Sequence, residues 1–115
     1  MTAEPAKDLG TTDTGIKPNV AALLAYLIGF VTGLIFLLIE KQNKFVRFHA
    51  LQSILVFGGL FVALWVVSLI PVIGAVLNGL LSLLAIALWV VLMVKAFRGE
   101  MFQLPFVGEI AQKRS

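Results

Sequence analysis

From Ala50 to Val94 the chain runs for 45 residues without a single Asp, Glu, Lys or Arg. As one helix that run would be about 68 Å long at 1.5 Å per residue. The hydrocarbon core of a bilayer is only about 30 Å thick. The segment must therefore fold back on itself, and Ser68-Leu69-Ile70-Pro71-Val72-Ile73-Gly74 marks where. Proline lacks a backbone donor and disfavours helix at the residue before it. This divides the run into two expected membrane spans, about 50–70 and 75–95. A second uncharged stretch lies between Lys17 and Glu40. Val20 to Ile39 is 20 residues, about 30 Å as a helix and so one more span. Thirteen of those residues are Leu, Ile, Val or Phe, each favouring insertion by about 0.3–0.6 kcal/mol. A soluble domain of 115 residues that is 60% apolar and 13% charged could not bury that much surface. The solvent for most of the chain is lipid.

The fold expected is all-α: three antiparallel transmembrane helices with a basic interfacial segment, forming one membrane domain over residues 19–115. Residues 1–18 are polar, without apolar periodicity, and are expected to be a disordered tail. No apolar core follows a positive start closely enough for a cleaved signal, so the first span is expected to be retained. The tail, 96–115, mixes charge with Phe102, Leu104, Phe106, Val107 and Ile110 around Pro105 and Gly108. It is too broken to cross and is expected at the membrane surface. The absence of cysteine excludes disulfides and thiolate metal sites. The net charge of +3 does not point to nucleic acid, because the basic residues flank apolar segments instead of lining a patch.

Three spans place Lys41, Lys44, Arg47, Lys95, Arg98, Lys113 and Arg114 on one side, and Lys7 and Lys17 on the other. Seven against two puts the C-terminus in the cytoplasm and the N-terminus outside. Such a chain is a multi-pass protein of the cell (inner) membrane. Tyr26 and Trp65 would then sit near the outer interface and Trp89 near the inner one.

Several side-chain sets are candidate functional features. Ala25, Gly29 and Gly33 are small residues four apart, which lets another backbone approach closely in lipid. The partner is either a helix of the same chain or another protein, and packing within the chain is the simpler use; the lesser alternative is a helix broken near these glycines, dipping in and turning. His49, Gln52 and Ser53 share one side of the second span. Asn78, Ser82 and Ala85 recur at similar spacing on the third, with Trp89 beyond them. Polar groups in a span avoid lipid and bond across helices, so both faces should point inward, as packing surfaces or as the lining of a polar path. His49 is the lone histidine. One imidazole with distant carboxylates does not make a metal or haem site unless copies combine. Lys41, Lys44 and Arg47, beside Phe45 and Phe48, are expected to meet lipid head groups, at about 1 kcal/mol each on an anionic leaflet. No charge lies inside any expected span, whereas coupled transporters and intramembrane hydrolases need such groups. No nucleophile elbow or phosphate-cradling glycine loop is present. An enzyme is not expected, and neither is a cofactor.

Three stretches form one continuous pattern: Asn19 to Leu27, Gly33 to Lys41, and Lys44-Phe45-Val46-Arg47-Phe48-His49-Ala50-Leu51-Gln52-Ser53. The tail Leu104-Pro105-Phe106-Val107-Gly108-Glu109-Ile110-Ala111 adds to them. Together they resemble a widespread family of small prokaryotic membrane proteins of unknown function. That family is related to the twenty-kilodalton component of the chloroplast inner-envelope protein-import translocon. The resemblance implies a helical membrane protein, a homo-oligomer or a subunit of a larger complex, and in the plastid relative a part in moving proteins. Phe45, Arg47, Phe48, His49, Gln52 and Ser53 match its motif, with no role to carry over. The function expected is a non-enzymatic membrane subunit, translocon-like, acting through helix–helix contacts. The alternatives are a small oligomeric channel or carrier, and a cofactor binder centred on His49.

Overall fold

The computed structural model describes residues 9–115. Among them are five helices and no strand: α1 (Pro18–Leu27), α2 (Phe30–Ile39), α3 (Lys44–Val67), α4 (Ile73–Phe97) and α5 (Val107–Arg114). Pro18 opens α1 at a position where a missing N–H costs nothing. Asn43 caps α3, its Oδ1 accepting from the Val46 amide at 3.1 Å. The cap carries α3 back to Lys44, six residues before the span expected at 50, so the basic motif lies on its first turns. α3 and α4 are long and apolar enough to cross a membrane. Their connection contains Pro71, as the sequence requires. Val72 (φ 64°) and Phe106 (φ 65°) each follow a proline and precede a helix. The amide of the next residue bonds back to the proline carbonyl at 2.7 Å in both cases, the closure of a γ-turn.

The first apolar run departs from the expectation of a single span over 20–39. It forms two helices of ten residues, each about 15 Å long, so neither reaches across a bilayer. The break is at Gly29, where φ 56° and ψ −132° define a conformation open to glycine and costly for any other residue. α1 and α2 are a hairpin, not a continuous rod. The Asp13 amide donates to both Glu40 carboxylate oxygens at 2.9 and 3.0 Å, and the Lys41 amide donates to Asp13 Oδ2 at 2.8 Å. Asn19 Nδ2 donates to the Phe97 carbonyl at 2.9 Å. The start of α1, the end of α2, the start of α3 and the end of α4 therefore share one end of the molecule. The expected arrangement of three antiparallel spans, with Lys17 and Glu40 on opposite sides, does not hold.

Of the segment expected to be a disordered tail, residues 1–8 lie outside the described residues. From Leu9 on, the chain is strapped across the α2–α3 connection: Asn43 Nδ2 donates to the Leu9 and Thr11 carbonyls at 2.8 and 3.0 Å.

Two apolar clusters hold the shared end together. Ala21 and Ala25 of α1 meet Phe36 of α2 and Val46 and Ala50 of α3. Ala22 and Tyr26 meet Phe45, Leu92 and Ala96. Small residues let α2 and α3 approach closely. A Cβ on Gly33 would stand 2.9 Å from the Ala50 carbonyl oxygen and 3.0 Å from Ser53 Cβ. Gly33→Ala should therefore lower stability by about 1–3 kcal/mol, the usual cost of overpacking. Gly59, with nothing within 4 Å of an added Cβ, should take alanine neutrally or with a gain in helix propensity. Thermal unfolding in detergent, followed by circular dichroism, separates the two; equal losses would refute the close approach.

Candidate functional site

A helix break inside an apolar environment leaves carbonyls and amides that water cannot satisfy. Here three helices supply side chains to them. Thr32 Oγ1 of α2 accepts from the Ile28 amide at 3.0 Å and donates to the Ala25 carbonyl at 3.2 Å. Ser53 Oγ of α3 donates to the Gly29 carbonyl at 2.8 Å. Trp89 Nε1 of α4 donates to the Tyr26 carbonyl at 2.8 Å.

Directly beside the break lies a buried polar clasp. Tyr26, His49 and Gln52 are all fully buried. The Tyr26 hydroxyl is 2.6 Å from His49 Nδ1, and His49 Nε2 is 2.8 Å from the Glu100 carbonyl. A carbonyl only accepts, so Nε2 carries the proton and Nδ1 accepts from the tyrosine. Gln52 Nε2 donates to the Tyr26 hydroxyl at 3.0 Å and to the Phe102 carbonyl at 2.9 Å. Gln52 Oε1 accepts from the Leu104 amide at 3.0 Å. Both amide hydrogens of Gln52 and both ring nitrogens of His49 are engaged. The rings of Tyr26, Phe45 and Phe48 stand edge-on around the imidazole, with centroids 5.3, 4.7 and 5.0 Å away. The clasp fastens the segment Glu100–Leu104 to α1 and α3.

Charged groups ring this end. Glu100 is buried, with Lys95 Nζ 3.3 Å from Oε1 and Arg98 Nε 3.4 Å from Oε2. Glu40 is buried beneath the Asp13 and Asn43 amides. Arg47 Nη1 donates to the Leu37 and Glu40 carbonyls at 3.0 and 2.8 Å, capping α2 where its dipole favours a cation. Its Nε donates to the Ser115 main-chain oxygen at 3.2 Å.

The structure distributes the sequence candidates unevenly. Phe45, Arg47, Phe48, His49, Gln52 and Ser53 all belong to one assembly around the break and the clasp. Arg47 is turned inward to carbonyls and does not point to head groups, whereas Lys41 and Lys44 are exposed. Ala25 and Gly33 face α3, and Gly29 makes the break, so they do not form one helix face. Asn78 lies apart, its Nδ2 3.4 Å from the Leu64 carbonyl, with Ser82 Oγ 3.5 Å from Asn78 Oδ1; Ala85 is half-buried. Tyr26 is fully buried against His49. Trp89 reaches it at the depth of the break, and Trp65 is 65% exposed on the far half of α3. Sequence reasoning passed over Tyr26, Glu40, Asn43 and Glu100 as functional groups. Only Asn43 carried a local signal, an N-cap residue ahead of an apolar run.

Among the described residues, no three His, Cys, Asp or Glu side chains converge to hold a metal. The arrangement is that of a small helical membrane protein, in which two long apolar helices carry a broken helix pair locked by an internal hydrogen-bond network. Residues 17–111 match the magnetosome magnetite crystal formation protein family, and the chain belongs to that family. A UPF0132 membrane protein of Methanocaldococcus jannaschii is 47% identical over 107 residues, covering 93% of this chain and 96% of the relative. A UPF0132 membrane protein of Archaeoglobus fulgidus is 46% identical over 99 residues, covering 86% and 96%. No solved structure matches. Nothing in these matches links the chain to the plastid import component.

Gln52→Leu should strand the Leu104 amide and the Phe102 carbonyl, at about 1–3 kcal/mol for each buried group left unpaired. The tail should then loosen before the helices melt. Faster amide exchange at Leu104 and quicker tryptic cleavage after Arg98, with helicity retained, are the expected readouts. An unchanged exchange rate would show that the clasp does not hold the tail.

Proposed function

We propose that this chain is a non-enzymatic structural protein of the membrane, working through its embedded helix surfaces. In this reading α3 and α4 cross the bilayer, and the α1–α2 pair enters and leaves on one side. The observation that carries it is where the buried polar side chains point. Buried Tyr26, His49, Gln52 and Ser53, and half-buried Thr32 and Trp89, each bond to another part of this chain, so the polar interior is spent on the fold. The exposed apolar flanks of α3 and α4 are left as the surface through which the protein meets its surroundings. The groups that a channel would need are likewise engaged: Gln52 and Ser53 in the clasp and break, Asn78 against α3.

Charge supports one orientation. Lys17, Lys41, Lys44, Arg47, Lys95, Arg98, Lys113 and Arg114 all flank the clasped end, and the connection 68–72 has no charge. That asymmetry is sharper than the one expected from three spans, and it supports an orientation with both the segment before α1 and the tail in the cytoplasm. The cell membrane is the compartment that fits.

The absence of native cysteine allows single labels at exposed positions. With Thr11→Cys, Leu69→Cys and Gln112→Cys, an impermeant thiol reagent applied to intact cells should reach position 69 only. Inverted membrane vesicles should show the reverse pattern, with 11 and 112 labelled together. Labelling of 11 with 69 and apart from 112 would restore three spans and defeat the re-entrant reading.

A further inference from the structure

Among the described residues of α3 and α4, all the buried ones but Gly74 lie in one half of the molecule's length. On α3 they are Phe45, Val46, Phe48, His49, Ala50, Gln52, Ser53 and Val56, and none lies beyond 56. On α4 they are Leu92 and Ala96 near the clasped end, with Gly74 alone at the other. The reason is the reach of the α1–α2 hairpin. Its turn meets α3 at Phe57, 3.3 Å from a Cβ placed on Gly29, and meets α4 at Trp89. Phe30, just past the turn, reaches one turn further along α3 to Phe61, with ring centroids 5.5 Å apart; beyond Phe61 α3 continues to Val67, about 9 Å further, and beyond Trp89 α4 continues to Ile73, about 24 Å further. Val62, Trp65, Val66, Val76, Leu80 and Leu83 are all exposed there. Every large side chain among them is apolar, as suits contact with acyl chains.

From this unequal cross-section we infer that the protein is a wedge that favours membrane curved toward its clasped end. The inference rests on the proposed crossing of α3 and α4. An α-helix is about 10 Å across with its nearer side chains. One leaflet then holds four helices and the other holds two. The chain displaces about twice as much lipid area on the clasped side. A bilayer relaxes such an imbalance by bending so that the crowded leaflet lies on the convex face. The buried clasp is what makes the wedge stiff: α1 is bonded to α3, to α4 through Trp89, and to the tail through Tyr26 and His49, so lipid pressure cannot splay it. α5 adds further bulk on the same side, packed against α3 with Gly108 and Ala111 buried.

The test uses the full chain carrying Gln112→Cys, inserted from detergent into preformed phosphatidylcholine–phosphatidylglycerol vesicles with no orientation imposed. Vesicles of about 30 nm and about 200 nm diameter are compared, since shallow insertions respond to curvature on this scale. An impermeant thiol dye reports the fraction of copies with the clasped end outward. In large vesicles that fraction should stay close to the random value. In small ones the ratio of outward to inward copies should rise by at least about two-fold. The same ratio at both sizes overturns the inference. Antiparallel pairing of copies, each filling the narrow half of the other, would cancel the wedge and give that flat result. Leu69→Cys is measured alongside. Placed together in one chain, Leu69→Cys and Gln112→Cys should take one impermeant label per copy, which confirms the crossing on which the inference rests; copies with two labels or none remove crossing and wedge together.

Discussion

A polypeptide that turns around inside hydrocarbon must bring its own hydrogen-bond partners to the turn, because lipid offers none and each unsatisfied group costs several kcal/mol. In the proposed re-entrant arrangement of this protein that requirement falls on the peptide units from Ala25 to Gly29. Thr32, Ser53 and Trp89 meet it, and they come from three different helices. The break therefore cannot form in isolation from α3 and α4. The close contact at Gly33, the placement of Trp89 against the break and the polar start of α3 all follow from bringing those side chains into range.

The clasp extends the same logic to the tail. A tail segment rich in Phe and Leu but carrying its own amides and carbonyls could not dry out against the bundle without partners. Gln52 presents one acceptor and two donors, and the main chain at Phe102 and Leu104 together with the Tyr26 hydroxyl uses all three. His49 connects the hydroxyl to the Glu100 carbonyl and adds no charge in this bonding pattern. Formal charge is kept to the rim, where Glu40 and Glu100 are held by amides and by Lys95 and Arg98. Neutral groups lie deep and ions lie shallow, an order set by the steep cost of moving a charge into apolar surroundings.

Parts of this architecture are legible in the sequence and parts are not, and particular residues show why. The hairpin at Pro71 and the two long apolar helices follow from run length alone. The inward direction of His49, Gln52 and Ser53 follows from the three- and four-residue spacing of polar side chains in an otherwise apolar stretch. The first run misleads: twenty apolar residues match one span in length, and Gly29 inside it looks like a packing residue. Whether such a glycine lies against a neighbour or turns the chain depends on partners for the freed carbonyls, and Ser53 and Trp89 are 24 and 60 residues away in the chain. Arg47 misleads for a related reason. Its charge suggests a head group, yet the end of α2 and the Ser115 oxygen compete for the same guanidinium at closer range.

Hydropathy and charge by themselves determined that this is a helical chain for an apolar solvent, with a fold-back at Pro71 and seven of its nine basic residues in the two segments that flank the long apolar run. Those properties sum over many residues, and no single contact can overturn them. Only the tertiary structure decided that the first apolar run is a hairpin, that the N-terminal segment lies beside the tail, and that the family motif is the inside of a clasp. Each of these turns on a few hydrogen bonds between residues distant in the chain, whose free energy exists only once the helices have come together.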